Sequence, residues 1–139
     1  MKDIKRIIIP VDNTEDSKKL VRKAAFLAKL LNVEAKIITI NDTHQFISSV
    51  VLEEKLRKDA EAFLDEFKKI FEETGITNVS TDLISGNPSE EIVKYVKSDD
   101  LIVMTHHDRK KGLDEFMEGN VSRDVVRNAP CSVLVIKNN

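Results

Sequence analysis

Three consecutive isoleucines, Ile7-Ile8-Ile9, constrain the fold more than any other feature of the chain. β-Branched side chains lose χ1 freedom in a helix and pack well on a pleated strand. In a strand, successive side chains point to opposite faces, so an unbroken apolar run needs cover on both sides. The segment from Ile4 to Val11 therefore reads as a strand buried on both faces, with Pro10 near its end, where a missing N–H costs least. Ala35 to Ile40, Leu101 to Met104 and Ser132 to Ile136 are further short apolar runs, and Val79 to Ile84 alternates weakly.

The stretches between these runs have helical periodicity. Leu20, Val21, Ala24, Leu27, Ala28 and Leu31 recur on one face from about Thr14, with Asn13 or Thr14 available as the cap. The longest stripe is Leu56, Ala60, Phe63, Leu64, Phe67, Ile70 and Phe71, stopped by Gly75. Its phenylalanines read as core. Gly86-Asn87-Pro88-Ser89-Glu90 supplies a turn, a cap at Asn87 and a proline at the first helical position, ahead of Ile92, Val93 and Val96. Val121 to Asn128 is a short final helix. Strands alternating with helices up to a closing strand predict an α/β fold, a three-layer sandwich around a five-stranded parallel sheet, with one domain over residues 1–139. In such sheets ligands bind beyond the carboxyl ends of the strands, where strand order reverses. Asp12-Asn13, Asn41 to His44, Ser85-Gly86-Asn87 and Thr105 to Asn120 fall at that edge.

Bulk properties narrow the function classes. With 41% hydrophobic and 33% charged residues and a net charge of −2, the chain is neither disordered nor basic enough to predict nucleic-acid binding. Arg109-Lys110-Lys111 reads as a solvated loop. No apolar stretch is long enough to predict a membrane span, and the N-terminus runs into a strand without a signal-peptide pattern. A cytoplasmic location is expected. Cys131, the single cysteine, opens an apolar strand and reads as a small core residue.

Ile7-Ile8-Ile9-Pro10-Val11-Asp12, Gly86-Asn87-Pro88, Asp100-Leu101-Ile102-Val103-Met104, Gly119-Asn120-Val121-Ser122 and Ala129-Pro130-Cys131-Ser132-Val133-Leu134-Val135 stand in one order along the chain. Together they resemble the universal stress protein family, and the resemblance spans essentially the whole sequence. It implies a Rossmann-like sheet of the adenine nucleotide α-hydrolase type, in the order 3-2-1-4-5. It also implies a homodimer joined through the last strands and a role as a binding or regulatory module in stress response, not as an enzyme.

Many members bind ATP through Gly-x-x-Gly, nine residues, then Gly-Ser or Gly-Thr. Carried onto this chain, the resemblance assigns Pro10, Val11 and Asp12 at the first strand, Thr39 and Ile40 at the second, and Met104 before the loop. Gly119, Asn120, Val121 and Ser122 fall at its end. Thr105 and Asp108 replace the first two glycines, the spacing to Gly119 is one residue longer, and Asn120 replaces a hydroxyl residue. A branched Cβ at Thr105 and a carboxylate at Asp108 predict weakened ATP binding, the charge alone costing about 1–4 kcal/mol in a partly dry site. Arg109 to Lys111 would offset this charge, and a Mg ion is expected only alongside ATP.

Asp12 is open to three readings from the residues alone, as a helix cap, a ribose contact or a holder of metal-bound phosphate. The last corresponds to a rival function, a weak metal-dependent nucleotide hydrolase using Asp12. His44, His106 and His107 gather at the same edge in the sequence, where they read either as a metal-ligating set or as a polar loop. A phosphate-accepting receiver domain shares the strand alternation, but the third strand ends Ile84-Ser85-Gly86 without the carboxylate that its chemistry needs.

Overall fold

The computed structural model describes residues 3–42, 50–106 and 121–137. Its elements run β1 (Arg6–Pro10), α1 (Glu15–Leu31), β2 (Glu34–Asn41), α2 (Val50–Glu73), β3 (Val79–Ser85), α3 (Pro88–Tyr95), β4 (Asp100–Thr105) and, after helical residues 121–128 (α4), β5 (Ser132–Ile136). All strand pairs are parallel, in the order β3-β2-β1-β4-β5. The fold class and strand order expected from the sequence are those found.

β1 occupies the centre because its side chains can be buried on both faces. Ile7, Ile8 and Ile9 are each 0% exposed. Ile7 and Ile9 join Leu20, Val21 and Ala24 of α1 and Leu64, Phe67 and Phe71 of α2 in one core. Ile8 joins Ile92 and Val96, Ile102 and Met104 of β4, and Val125 of α4 in a second core on the opposite face. Right-handed crossovers explain this division. The chain steps from β1 through β2 to β3 across one face, then returns past β1 and steps through β4 to β5 across the other.

Local chemistry sets the element ends. Thr14 caps α1 by accepting from the Ser17 N–H, and Asn32 closes it in the left-handed region, donating to the Ala28 carbonyl. α2 extends back to Val50, well before its apolar stripe begins, and Val50 and Val51 are about four-fifths exposed. Phe67 and Phe71 are buried core residues, with Phe63 packed against them. Asn87 caps α3 through its side chain, and Pro88 sits at the start of the helix, as the sequence indicates. Val93 lies half-buried, flanking the inward Ile92 and Val96. Gly86 is needed as glycine: its φ is +142°, and a Cβ there would meet the Glu91 side chain at 2.7 Å.

At the amino ends of the strands, Arg6 of β1 and Asp100 of β4 form a two-pronged ion pair with bonds of 2.8 and 3.0 Å. Asp100 also accepts from the Lys97 N–H at 2.7 Å. The Arg6 guanidinium lies 5.3 Å from the ring centre of Tyr95, whose hydroxyl donates to Asp82 on β3 at 2.5 Å. Arg6 is thereby held charged, its pKa raised chiefly by the hydrogen bond to Asp100. Cys131 is half-buried against the second core, and that burial pushes its thiol pKa up, which suits packing better than reactivity.

Burial first, and the Asp82 hydrogen bond second, push the Tyr95 hydroxyl above its usual range. The unfolded chain gives up this proton near pH 10, whereas the folded chain keeps it to higher pH. The contribution to stability is therefore complete below about pH 10 and declines above it, until the folded hydroxyl also ionises. Tyr95 is the only tyrosine, so ultraviolet absorbance can follow it directly. A folded-state titration above pH 10 is expected, shifting down in Asp82→Ala; ordinary titration near 10 would contradict this environment.

Candidate functional site

The chain leaves β1 toward β2 on one side, and β4 continues toward β5 on the other, so the carboxyl ends of β1 and β4 mark where the connections diverge. A cavity of about 500 Å³ opens there. Of the positions assigned from the sequence, Pro10, Val11, Asp12, Thr39, Ile40, Met104, Thr105 and Val121 line it. Ser122, next to Val121 at the start of α4, is buried and does not line it. Asp108, Gly119 and Asn120 lie outside the described residues, as do His44, His107 and Arg109 to Lys111.

The cavity has an apolar body and a polar rim. Val11 and Met104 are buried, and Ile40 and Val121 are partly buried in the wall. Thr39 is only 4% exposed, and its hydroxyl donates to the Val11 carbonyl at 2.7 Å. That bond joins β2 to β1 just beyond their ladder, where the Val11 N–H still donates to the Ile38 carbonyl at 2.8 Å. Thr105 ends β4, with its hydroxyl donating to the Ile136 carbonyl at 3.1 Å. Its polar group is therefore engaged with β5 while the residue borders the cavity.

Asp12 stands at the mouth. Its Oδ1 accepts from the Thr14 hydroxyl at 2.5 Å and the Ser17 hydroxyl at 2.8 Å. Thr14, not Asp12, caps α1, so the aspartate is a partner of the cap and not the cap itself. On the far rim, Asn87 holds the start of α3, accepting from the Glu90 N–H at 3.2 Å and the Ser89 hydroxyl at 3.0 Å.

The assigned set omitted Asn87, Pro88, Ser89, Asp42, Asp124 and Ser17, all of which line the cavity. Asp42 and Asn87 belong to edge segments already apparent from the strand pattern. Ser17 and Asp124 had weaker signals: each lies one turn from a recognised position, Thr14 and Val121, and so shares its helix face. His106 is exposed, and its N–H donates to the Ile136 carbonyl at 3.3 Å. Among the described residues, no three histidine, cysteine or carboxylate side chains are grouped to hold a metal ion.

The profile of the Universal stress protein family matches residues 3–137. The chain belongs to the universal stress protein family. A universal stress protein of Methanocaldococcus jannaschii is 33% identical, over 96% of this chain and 82% of its own length. A putative universal stress protein of Staphylococcus haemolyticus is 32% identical, over 96% and 84%. Among solved structures, the hypothetical protein MJ0577 is similar with a TM-score of 0.80 and 29% identity, covering 98% of this chain and 97% of that one. A universal stress protein solved with cAMP has a TM-score of 0.74 at 18% identity over 98% of both chains. One from Archaeoglobus fulgidus solved with dAMP has 0.69 at 22%, covering 96% and 98%. At those identities, the last two likenesses establish the shared Rossmann-like fold.

The Thr39 hydroxyl holds the wall of the cavity together. Thr39→Val keeps the volume and removes the bond, leaving the Val11 carbonyl without that donor. Denaturant unfolding is expected to show a loss of about 1–2 kcal/mol; an unchanged midpoint and slope would contradict the role of this bond.

Proposed function

We propose that the cavity at the β1–β4 divergence binds an adenine nucleotide, and that the chain serves stress response as a binding or regulatory module without catalysis of its own. The observation that carries this reading is the pairing of an apolar slot with a fixed carboxylate at its mouth. A flat base fits between Val11, Ile40 and Met104, and Asp12 is placed to accept from a ribose hydroxyl. A volume of about 500 Å³ lies within the ordinary range for small-ligand sites. The cAMP- and dAMP-bound relatives support the ligand class.

Pro10, Thr39, Thr105, Val121 and Ser122 complete the described part of the proposed site, to which the family pattern adds Asp108, Gly119 and Asn120. The branched Thr105 and the Asp108 charge weaken the hold on a triphosphate, so ATP binds less tightly than in a loop with glycines there. A Mg ion accompanies ATP only and is held by the phosphates. One domain over residues 1–139, in the cytoplasm and without nucleic-acid or membrane partners, completes the proposal. No described helix is long and apolar enough to cross a membrane.

The same reading includes a homodimer through β5. This strand forms one edge of the sheet, and Leu134 and Val135 remain 40% and 37% exposed on it. An apolar strand at a sheet edge invites pairing with a second copy.

Isothermal titration with AMP and Mg-ATP tests the ligand class. Saturable binding of both is expected, with Asp12→Ala weakening each about 10- to 100-fold through loss of a charged hydrogen bond. Absence of binding to either nucleotide would refute the reading, and phosphate release abolished in Asp12→Ala would favour the hydrolase instead. Light scattering at micromolar concentration is expected to give twice the chain mass of 15.8 kDa, and a monomer would contradict the β5 pairing.

A further inference from the structure

We infer that Ser17 is a positioning residue that, with Thr14, fixes which oxygen of Asp12 meets the ligand; the inference rests on the nucleotide reading above. Ser17 is 2% exposed in the first turn of α1 and lines the cavity without being available to a ligand. Its hydroxyl proton goes to Asp12 Oδ1 at 2.8 Å, and its oxygen accepts from the Asp12 N–H at 2.9 Å. The Thr14 hydroxyl donates to the same Oδ1 at 2.5 Å and accepts from the Ser17 N–H at 3.2 Å.

Both hydroxyl protons converge on Oδ1, which has two lone pairs to receive them. The Asp12 N–H is already committed to Ser17. No described residue donates to Oδ2, so this is the atom left to a ligand. An ionised carboxylate oxygen only accepts, so it selects a ligand group that carries a donor. On an adenine nucleotide the sugar hydroxyls and the exocyclic amine carry donors and an ionised phosphate does not; with the base in the apolar slot, the sugar hydroxyls are the donors left to meet Asp12. Ser17 therefore biases the site toward the ribose hydroxyls, though it touches no part of the nucleotide.

The test compares ATP with 2′,3′-dideoxy-ATP, by titration, in the wild type and three variants. The wild type is expected to favour ATP by about tenfold, one charge-assisted hydrogen bond. Ser17→Ala, and independently Thr14→Ala at an exposed position, should cut that preference to below about threefold while leaving the dideoxy affinity in place. Ser17→Thr keeps the hydroxyl and should keep the preference. A preference undiminished in both alanine variants would overturn the inference, as would equal loss of both ligands, the signature of a merely structural serine. Equal wild-type affinity for the two ligands would overturn it and leave the nucleotide reading intact, whereas binding of neither would remove both.

Discussion

The burial of Ile7, Ile8 and Ile9 on both faces of β1 is the constraint on which the other features depend. Each side chain is fully enclosed, contributing about 1.5–3 kcal/mol relative to exposure. That enclosure requires α1 and α2 on one face and α3 and α4 on the other. With helices on both faces, the connections from the central strands must depart in opposite directions. The resulting gap at the carboxyl ends of β1 and β4 follows from this topology.

The two ends of the sheet are built for different purposes. At the amino end, Arg6 and Asp100 satisfy each other across β1 and β4, and Tyr95, beside Arg6, reaches mid-strand Asp82 to tie α3 to β3. These polar groups are mutually paired. At the carboxyl end, the ladder hydrogen bonds give way to side-chain bonds: Thr39 to Val11, Thr105 to Ile136, and Ser17 to Asp12. There the backbone is held at its margins while a cavity stays open between them. The same two strands thus carry a closed ionic clamp below and a ligand-sized opening above.

Much of this was legible in the sequence because the signals were local. The β-branched triad, the stripe ending at Gly75 and the Asn87-Pro88 helix start each draw on neighbours within one or two turns. The order of the strands came from resemblance, since periodicity gives no order. The backward extension of α2 to Val50 was not legible, because Val50 and Val51 are exposed and add nothing to an inward stripe. The Tyr95–Asp82 and Arg6–Asp100 contacts join residues 13 and 94 positions apart, a separation at which sequence pattern carries no pairing signal. In the site, Asp12 stood out by following a strand. Ser17 did not, since a serine in a first helical turn is common and its role depends on where its hydroxyl points.

The site and the clamp sit at opposite ends of the same strands, so their responses to a ligand are separable. The most direct measurement is an amide chemical-shift map recorded during titration with AMP. The account predicts saturable shifts at Val11, Asp12, Thr39, Ile40, Thr105 and Ser122, with Arg6, Asp100 and Cys131 unmoved. Shifts centred on the amino end of the sheet, with the Asp12 and Ile40 amides silent, would contradict it.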